Sequence, residues 1–201
     1  MFSLNQEDAV VSRETNIERY FPERGPEIRL YADFLAEQGP LRGLIGPREG
    51  ERIWERHIFN SLPVISLIPQ GSEVIDLGSG AGLPGIPIAL ARPDIKMILI
   101  EPLQRRVDFL MEAVSNLGIT VLRGRAQDFS LKADIVTARA VAPLAKLKVM
   151  SWHLLKKGGF LLAIKGESAA IEAVEVPNAQ LHELNLEGLP LGRVISIKKG
   201  A

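Results

Sequence analysis

The spacing of hydrophobic residues changes near residue 70, and the change predicts two kinds of structure. Before it, apolar side chains recur at helical spacing, as at Ile28, Tyr31, Phe34 and Leu35. After it, short runs of branched apolar residues such as 74–77 alternate with amphipathic stretches, which is typical of buried parallel strands that alternate with helices. The sequence therefore predicts an α/β fold with a mostly parallel, doubly wound sheet and an N-terminal helical extension.

We place the boundary so that residues 1–65 form the helical extension, packed on the core, and residues 66–201 form the sheet domain. The extension is predicted to contain helices over 27–38, ended by Gly39-Pro40, and over 49–62. The predicted strands of the sheet domain are 74–77, 96–101, 119–122, 134–137, 160–164, 181–186 and 194–197. The predicted helices between them are 84–92, 103–117, 143–157 and a short one that ends near 175.

The composition is that of an ordinary globular protein, with 46% hydrophobic and 24% charged residues, and it excludes a disordered chain. The absence of cysteine excludes disulfides, thiolate catalysis and Cys-ligated metals, and three widely spaced histidines predict no metal site. The first 20 residues lack the apolar run of a signal peptide, and no apolar stretch reaches the roughly 18 residues of a membrane span. We therefore expect a cytoplasmic protein without a membrane partner, and we expect a monomer.

The charge of the chain is balanced in total but unevenly distributed. There are 24 Lys and Arg and 24 Asp and Glu, so the net charge is zero. Residues 96–165 contain 12 of the basic and 5 of the acidic residues, a net charge of +7, and the rest of the chain carries −7. Such an asymmetry indicates a polyanionic partner, although the total alone would argue against a nucleic-acid-binding protein.

A glycine-rich run follows the first predicted strand and precedes a helix. It contains Asp76, Gly78, Gly80 and Gly82, and glycines at such a turn let the backbone approach a ligand closely. The third glycine position of a dinucleotide fingerprint falls on Leu83, so a pyrophosphate cradle is disfavoured relative to a cofactor without phosphates.

An acidic residue, Glu101, ends the second predicted strand, 23 residues after Gly78. A carboxylate there can accept both hydroxyls of a free ribose diol. Together, the glycine run and Glu101 resemble the S-adenosylmethionine loop of class I methyltransferases.

Several further segments indicate a family more specifically than the glycine run does. They are Arg56-His57-Ile58 with Ser61, Leu83-Pro84-Gly85-Ile86-Pro87, Arg105-Arg106, Gly124-Arg125-Ala126, Ala138-Arg139-Ala140 and Lys165-Gly166-Glu167. Over about residues 30–170 this set resembles the glucose-inhibited division protein B family (RsmG), whose members methylate N7 of a guanine in 16S ribosomal RNA. The sequence departs from that family in two places. The family usually has Asp at the position of Asn60, and it usually has an Asn-Leu-Thr run in the region where this sequence has Gly43-Leu44-Ile45-Gly46.

The resemblance implies a class I methyltransferase (Rossmann-like) fold, S-adenosylmethionine as the cofactor, and 16S ribosomal RNA or the 30S subunit as the partner. The residues expected to bind the cofactor are Asp76, Gly78, Gly80, Gly82, Leu83, Glu101, Ala126, Gln127 and Arg139. The residues expected to contact RNA are Arg56, His57, Arg105, Arg106, Arg125 and Lys165.

The expected chemistry needs no general base, because N7 of guanine has a free lone pair and loses no proton when it is alkylated. Arg139 is therefore expected to position the substrate, by a phosphate or a base edge, rather than to act as an acid. The alternatives are a class I methyltransferase that acts on a small molecule or another RNA, a nicotinamide-dependent oxidoreductase, and a nucleotide-binding protein without activity.

Overall fold

The computed structural model describes residues 6–200, with side chains from residue 13 onward. Two helices come first, α1 (Gln6–Tyr20) and α2 (Gly25–Leu41), followed by irregular helical turns that end at Leu67. The strands are β1 (Glu73–Leu77), β2 (Lys96–Glu101), β3 (Thr120–Arg123), β4 (Ala133–Arg139), β5 (Leu155–Lys165), β6 (Ala179–Leu184) and β7 (Gly192–Lys198). The helices between them are α3 (Gly85–Ala91), α4 (Gln104–Ala113), α5 (Leu144–Ser151) and α6 (Ala169–Glu175).

The seven strands form one sheet in the order β3-β2-β1-β4-β5-β7-β6. The pairs among β1 to β5 are parallel, and β7 runs antiparallel to both β5 and β6. The direction of chain progression across the sheet reverses between β1 and β4, and ligands of such sheets bind at this switch point, beyond the carboxyl ends of the strands. The predicted α/β fold with a mostly parallel, doubly wound sheet is confirmed.

Each face of the sheet is covered by its own hydrophobic core. The extension packs on one face, where Ile17 of α1 and Leu35 of α2 belong to the same buried cluster as Ile86 of α3 and Phe109 of α4. Helices α5 and α6 cover the other face, where Leu147 of α5 and Ala169 of α6 belong to a second buried cluster. Because the extension and the sheet share one core, the extension can position residues at the edge of the sheet.

Two predictions in the extension are wrong in detail. Helix α2 does not end at Gly39-Pro40 but continues to Leu41 with Pro40 inside it. The predicted regular helix over 49–62 is a succession of short turns, including a π-helical turn at Trp54–Ile58. Asn60 Nδ2 donates to the Arg56 carbonyl at 3.3 Å, and Ser61 Oγ donates to the His57 carbonyl at 2.6 Å. These side-chain bonds compete for the carbonyls that a regular helix uses, and the helix deforms.

Two predicted helices of the sheet domain are also too long. The helix predicted over 143–157 ends at Ser151, because the chain from Leu155 already pairs with β4 as part of β5. The helix predicted over 103–117 ends at Ala113.

Between residues 6 and 200 no helix is long and apolar enough to cross a membrane.

Candidate active site

The site lies at the carboxyl edge of the sheet, where β1, β2, β4 and β5 end at Leu77, Glu101, Arg139 and Lys165. Three neighbouring cavities open there. The loop cavity, about 550 Å³, is bounded by the glycine loop (78–81), Leu83, the segment 43–46 and Arg106. The β5 cavity, about 700 Å³, adjoins it, and the Gln127 cavity, about 550 Å³, lies beyond Pro102.

The glycine loop depends on backbone conformations that favour glycine. Gly78, Gly80 and Gly82 have φ angles of +72°, +59° and +94°. A Cβ atom on Gly78 would lie 2.8 Å from Val141 Cγ2, and one on Gly82 would lie 2.4 Å from Ile86 Cδ1. Gly82 therefore serves the packing of α3, whereas Gly78 and Gly80 face the loop cavity.

Asp76 lies beneath the loop and is fully buried. Its Oδ2 accepts a hydrogen bond from the Gly85 N–H at 3.1 Å, and its Oδ1 accepts one from Thr137 Oγ1 at 3.3 Å. Burial raises the pKa of Asp76 to about 6, although hydrogen bonds from Ser79, Gly85 and Thr137 favour the carboxylate. Asp76 thus fixes the start of α3 and does not line any of the three cavities.

Glu101 lies on the other side of the loop and is 1% exposed. Its Oε2 accepts the Gly80 N–H at 2.9 Å and its Oε1 accepts the Leu103 N–H at 3.0 Å. The Arg106 guanidinium approaches Oε2 to 3.7 Å. The carboxylate therefore fixes the tip of the glycine loop. Its remaining lone pairs could accept hydrogen bonds from a ribose.

The helical extension also contacts the glycine loop, through a side-chain hydrogen bond. The hydroxyl of Tyr31 on α2 donates to the Ala81 carbonyl at 2.9 Å, in the buried interior. The sequence pattern predicts only that Tyr31 lies on the apolar face of a helix, because no local pattern indicates a hydrogen bond that spans 50 residues.

Arg139 lies between the loop cavity and the β5 cavity and lines both. The one hydrogen bond from its guanidinium to the described side chains reaches Ser61 Oγ, at 3.4 Å. Burial lowers the pKa of Arg139, while Tyr31, Asp76 and Glu49 act in the opposite direction. A guanidinium with most of its N–H groups unused in a cavity wall is suited to bind an acceptor of the substrate.

A residue that the sequence analysis missed, Glu49, also lines both cavities. Its Oε2 lies 2.9 Å from His57 Nε2, and its Oε1 lies 3.6 Å from the Arg56 guanidinium. Burial lowers the pKa of His57, and Arg139 lowers it further. Ala140 completes the shared wall with a φ angle of +55°, a conformation that is uncommon for residues other than glycine.

The predicted cofactor-binding residues divide into two groups. Gly78, Gly80, Leu83 and Arg139 line the loop cavity, and Gln127 lines the Gln127 cavity. The other four, Asp76, Gly82, Glu101 and Ala126, lie behind these surfaces.

The predicted RNA-contacting residues are spread over the carboxyl edge. Arg56, His57 and Lys165 line the β5 cavity, where the Lys165 ammonium bonds Glu172 Oε2 at 2.7 Å. Arg106 lines the loop cavity, Arg125 lines the Gln127 cavity, and Arg105 is exposed outside the three cavities. Arg193, which was not predicted, adds a further cation to the β5 cavity.

No group of three or more His, Cys, Asp or Glu side chains that could hold a metal ion is present in the described part of the chain.

A mostly parallel sheet with one antiparallel strand inserted next to its edge, and a glycine loop closed by a buried glutamate at the switch point, define a class I methyltransferase. The family GidB, described as rRNA small subunit methyltransferase G, matches residues 25–188. The chain belongs to this family.

Curated relatives agree with this placement. The Ribosomal RNA small subunit methyltransferase G of Thermobifida fusca is 51% identical over 185 residues, which cover 90% of this chain and 76% of the relative. The protein of the same name from Corynebacterium jeikeium is 54% identical over 158 residues, which cover 74% of this chain and 71% of the relative.

Solved structures are more distant and support the fold alone. The ribosomal protein L11 methylase of Lactobacillus delbrueckii matches with a TM-score of 0.54 and 14% identity, over 70% of this chain and 77% of that one. A methyltransferase of Pyrococcus furiosus matches with a TM-score of 0.54 and 11% identity, over 70% of this chain and 81% of that one.

Proposed function

We propose that this methyltransferase transfers a methyl group from S-adenosylmethionine to N7 of one guanine in 16S ribosomal RNA. The curated relatives are named for a small-subunit ribosomal RNA substrate. The observation in this chain that carries the proposal is the junction of two cavities at Arg139. The loop cavity has the features of a cofactor site, and the β5 cavity has those of a site for an anionic substrate.

The loop cavity and the Gln127 cavity fit S-adenosylmethionine. Gly78 and Gly80 allow close approach of a ligand to the backbone, and Gln127 and Arg125 lie at the far end, where an adenine would be placed. Glu101 lies behind both cavities and accepts the N–H groups of Gly80, which lines the loop cavity, and of Leu103, which lines the Gln127 cavity. When bound, S-adenosylmethionine would supply an electrophilic methyl group to the N7 lone pair, with S-adenosylhomocysteine as the leaving group.

The residues at the junction have to orient the base and need not remove a proton, since N7 carries none. Positive charge develops on the purine as N7 is alkylated, so a cation beside N7 would oppose the reaction. We assign Arg139 to an acceptor other than N7, either a phosphate or O6 of the base. Holding N7 in line with the methyl group then supplies the acceleration.

The walls of the β5 cavity favour a polyanion. Arg56, Arg139, Lys165 and Arg193 contribute four cations against the three carboxylates of Glu49, Glu167 and Glu172. Three of the cations also approach a carboxylate, as Arg56 does Glu49, Lys165 does Glu172 and Arg193 does Glu183, whereas Arg139 has no ion pair within 4 Å among the described residues. Arg105 and Arg125 extend the basic surface toward β3. Basic side chains arranged along one edge of the sheet are what a phosphate backbone requires.

The test is transfer of radiolabelled methyl groups to 30S subunits and to protein-free 16S RNA, both from cells that lack the modification, followed by mapping of the methylated base. We expect 7-methylguanine at one position. Methylation of small molecules only, or binding of a nicotinamide cofactor without binding of S-adenosylhomocysteine, would overturn the proposal. We further propose that the protein acts as a monomer.

A further inference from the structure

The four residues that line both the loop cavity and the β5 cavity are Glu49, His57, Arg139 and Ala140. A methyl group that passes from a donor in one cavity to an acceptor in the other has to cross this shared wall. The target base must therefore lie against these residues when it reacts. Among them, Glu49 and Arg139 carry full charges of opposite sign, so the junction offers one strong acceptor group and one strong donor group.

Glu49 is held as an ionised acceptor. Burial tends to raise its pKa, but hydrogen bonds from His57 and the Gly46 backbone and the charge of Arg56 lower it, and the net shift is downward. Because an ionised carboxylate only accepts hydrogen bonds, the 2.9 Å contact requires His57 Nε2 to carry the proton. The other ring nitrogen, Nδ1, is buried without a hydrogen-bond partner among the described residues. His57 is therefore a neutral imidazole that orients the carboxylate.

The carboxylate keeps capacity for a ligand. The Glu49 side chain is 31% exposed at the cavity wall. Besides the bond from His57, the carboxylate has the 3.6 Å approach of Arg56 to Oε1 and a backbone contact from Gly46. Each carboxylate oxygen offers two lone-pair sites, so these contacts leave acceptor capacity for a ligand.

We propose that Glu49 selects guanine by accepting hydrogen bonds from its N1–H and its 2-amino group, while Arg139 donates to O6. This proposal rests on the proposed function. The two contacts cover the Watson–Crick edge and the neighbouring O6, and they leave N7 free to face the loop cavity. The same pair opposes adenine, which presents a lone pair at N1 to Glu49 and an amino group to Arg139. Specificity thus comes from a favourable match and from repulsion of the wrong base.

The experiment combines a change in the protein with a change of single atoms in the substrate. The methylated guanosine, once mapped, is replaced by inosine in reconstituted 30S subunits. Inosine keeps N7, O6 and N1–H and lacks only the 2-amino group. Wild type, Glu49→Gln and the control Glu55→Gln, an exposed residue six positions later, are compared on both substrates.

We expect inosine to lower kcat/KM of the wild type by about 10- to 100-fold, the range for loss of a hydrogen bond to a charged group. Glu49→Gln should lower kcat/KM on guanine to a similar degree and should lose most of the discrimination against inosine. The two changes together should therefore cost much less than the product of the single effects. Glu55→Gln should behave as wild type, and all three proteins should bind S-adenosylhomocysteine equally.

Multiplicative effects of the two changes would assign Glu49 a structural role through His57 and overturn the proposal. Equal rates of the wild type on guanine and inosine would overturn it without reference to any variant. Both outcomes differ from a failure of the proposed function, in which the wild type would methylate no guanine of the 30S subunit.

Discussion

The hydroxyl of Tyr31 on α2 donates a 2.9 Å hydrogen bond to the carbonyl of Ala81 in the glycine loop. Burial raises the pKa of Tyr31, so the hydroxyl keeps its proton and remains a donor at neutral pH. Ala81 lines the loop cavity. The helical extension therefore fixes part of the wall to which we assign the cofactor.

Replacement of Tyr31 by Phe should weaken cofactor binding. The substitution leaves the Ala81 carbonyl buried without its partner, and an unsatisfied buried acceptor costs about 1–3 kcal/mol. The loop can recover a partner only by moving. We expect lower stability in urea unfolding and a several-fold loss of S-adenosylhomocysteine affinity by isothermal titration calorimetry.

The chain supplies a matched control in its other tyrosine. The Tyr20 hydroxyl donates to the Glu187 carbonyl at 2.7 Å, on the exposed side of the extension. Tyr20→Phe removes the same atom where water can replace it, and it should bind S-adenosylhomocysteine as wild type does. Equal affinities of the two variants would show that the bond to Ala81 does not shape the cavity.

Gly78 offers a second test of the loop, with Gly71 as its control. Their φ angles are +72° and +71°, so alanine at either position meets a similar backbone penalty of roughly 1–2 kcal/mol. A Cβ on Gly78 would crowd Val141 at 2.8 Å, whereas one on Gly71 would meet nothing within 4 Å. We expect Gly78→Ala to lose cofactor affinity and Gly71→Ala to lose only stability, as measured by calorimetry and urea unfolding. Loss of affinity in both variants would contradict this.

Much of this architecture could be predicted from local patterns. The strand over 96–101 was predicted with the bounds observed, since a buried parallel strand is a continuous apolar run between turns. The glycine loop and the position of Arg139 at a strand end were also predictable, because parallel strands bring their carboxyl ends to one edge.

The hydrogen-bond partners of the acidic residues near the site could not be predicted from local patterns. Asp76 and Glu101 were expected to bind the cofactor, yet each uses its carboxylate to hold backbone N–H groups of the loop region. Glu49 follows no repeating pattern, and it reaches the site because a hydrogen bond joins it to His57, eight residues away. Such contacts depend on tertiary packing, which periodicity does not encode.

The buried Asp76 should make stability depend on pH in an unusual direction. Burial raises its pKa to about 6 in the folded protein, so the folded state binds a proton more tightly than the unfolded state. The contribution of Asp76 to the free energy of unfolding is therefore most favourable below about pH 4, and it is lost as the pH rises through about 6. At about 1.4 kcal/mol per pKa unit, the loss amounts to about 3 kcal/mol. Asp76→Asn should remove this loss, so the difference in unfolding free energy between variant and wild type should change across pH 4–8.

Asp94 provides the opposite case. A hydrogen bond from Arg92 is the main cause that lowers the pKa of Asp94 to about 2, so its contribution is present at neutral pH and is lost as the pH falls toward 2. Urea unfolding of Asp94→Asn should therefore show a difference from wild type that shrinks in acid. A parallel response of the two variants to pH would rule out the burial argument for Asp76.

Arg139→Ala should separate activity from stability. The guanidinium is largely desolvated, and among the described residues its one hydrogen bond is that to Ser61 Oγ, at 3.4 Å. Its removal therefore relieves a desolvation penalty and loses little stabilising interaction. We expect unfolding in urea at or above the wild-type concentration. Methyl transfer to 30S subunits should fall by about 100-fold or more, because the base is no longer held in line with the donor.

Arg92→Ala is the matched control, since we expect this arginine to contribute to stability and not to activity. Its guanidinium donates to the Ile65, Ile68 and Pro69 carbonyls and pairs with Asp94, and it lines none of the three cavities. Its removal leaves carbonyls without donors, so the variant should unfold at lower urea while each folded molecule transfers methyl groups at the wild-type rate. If Arg139→Ala loses stability and keeps its activity, as expected for Arg92→Ala, then Arg139 is a structural residue and the junction assigned to the reaction is wrong.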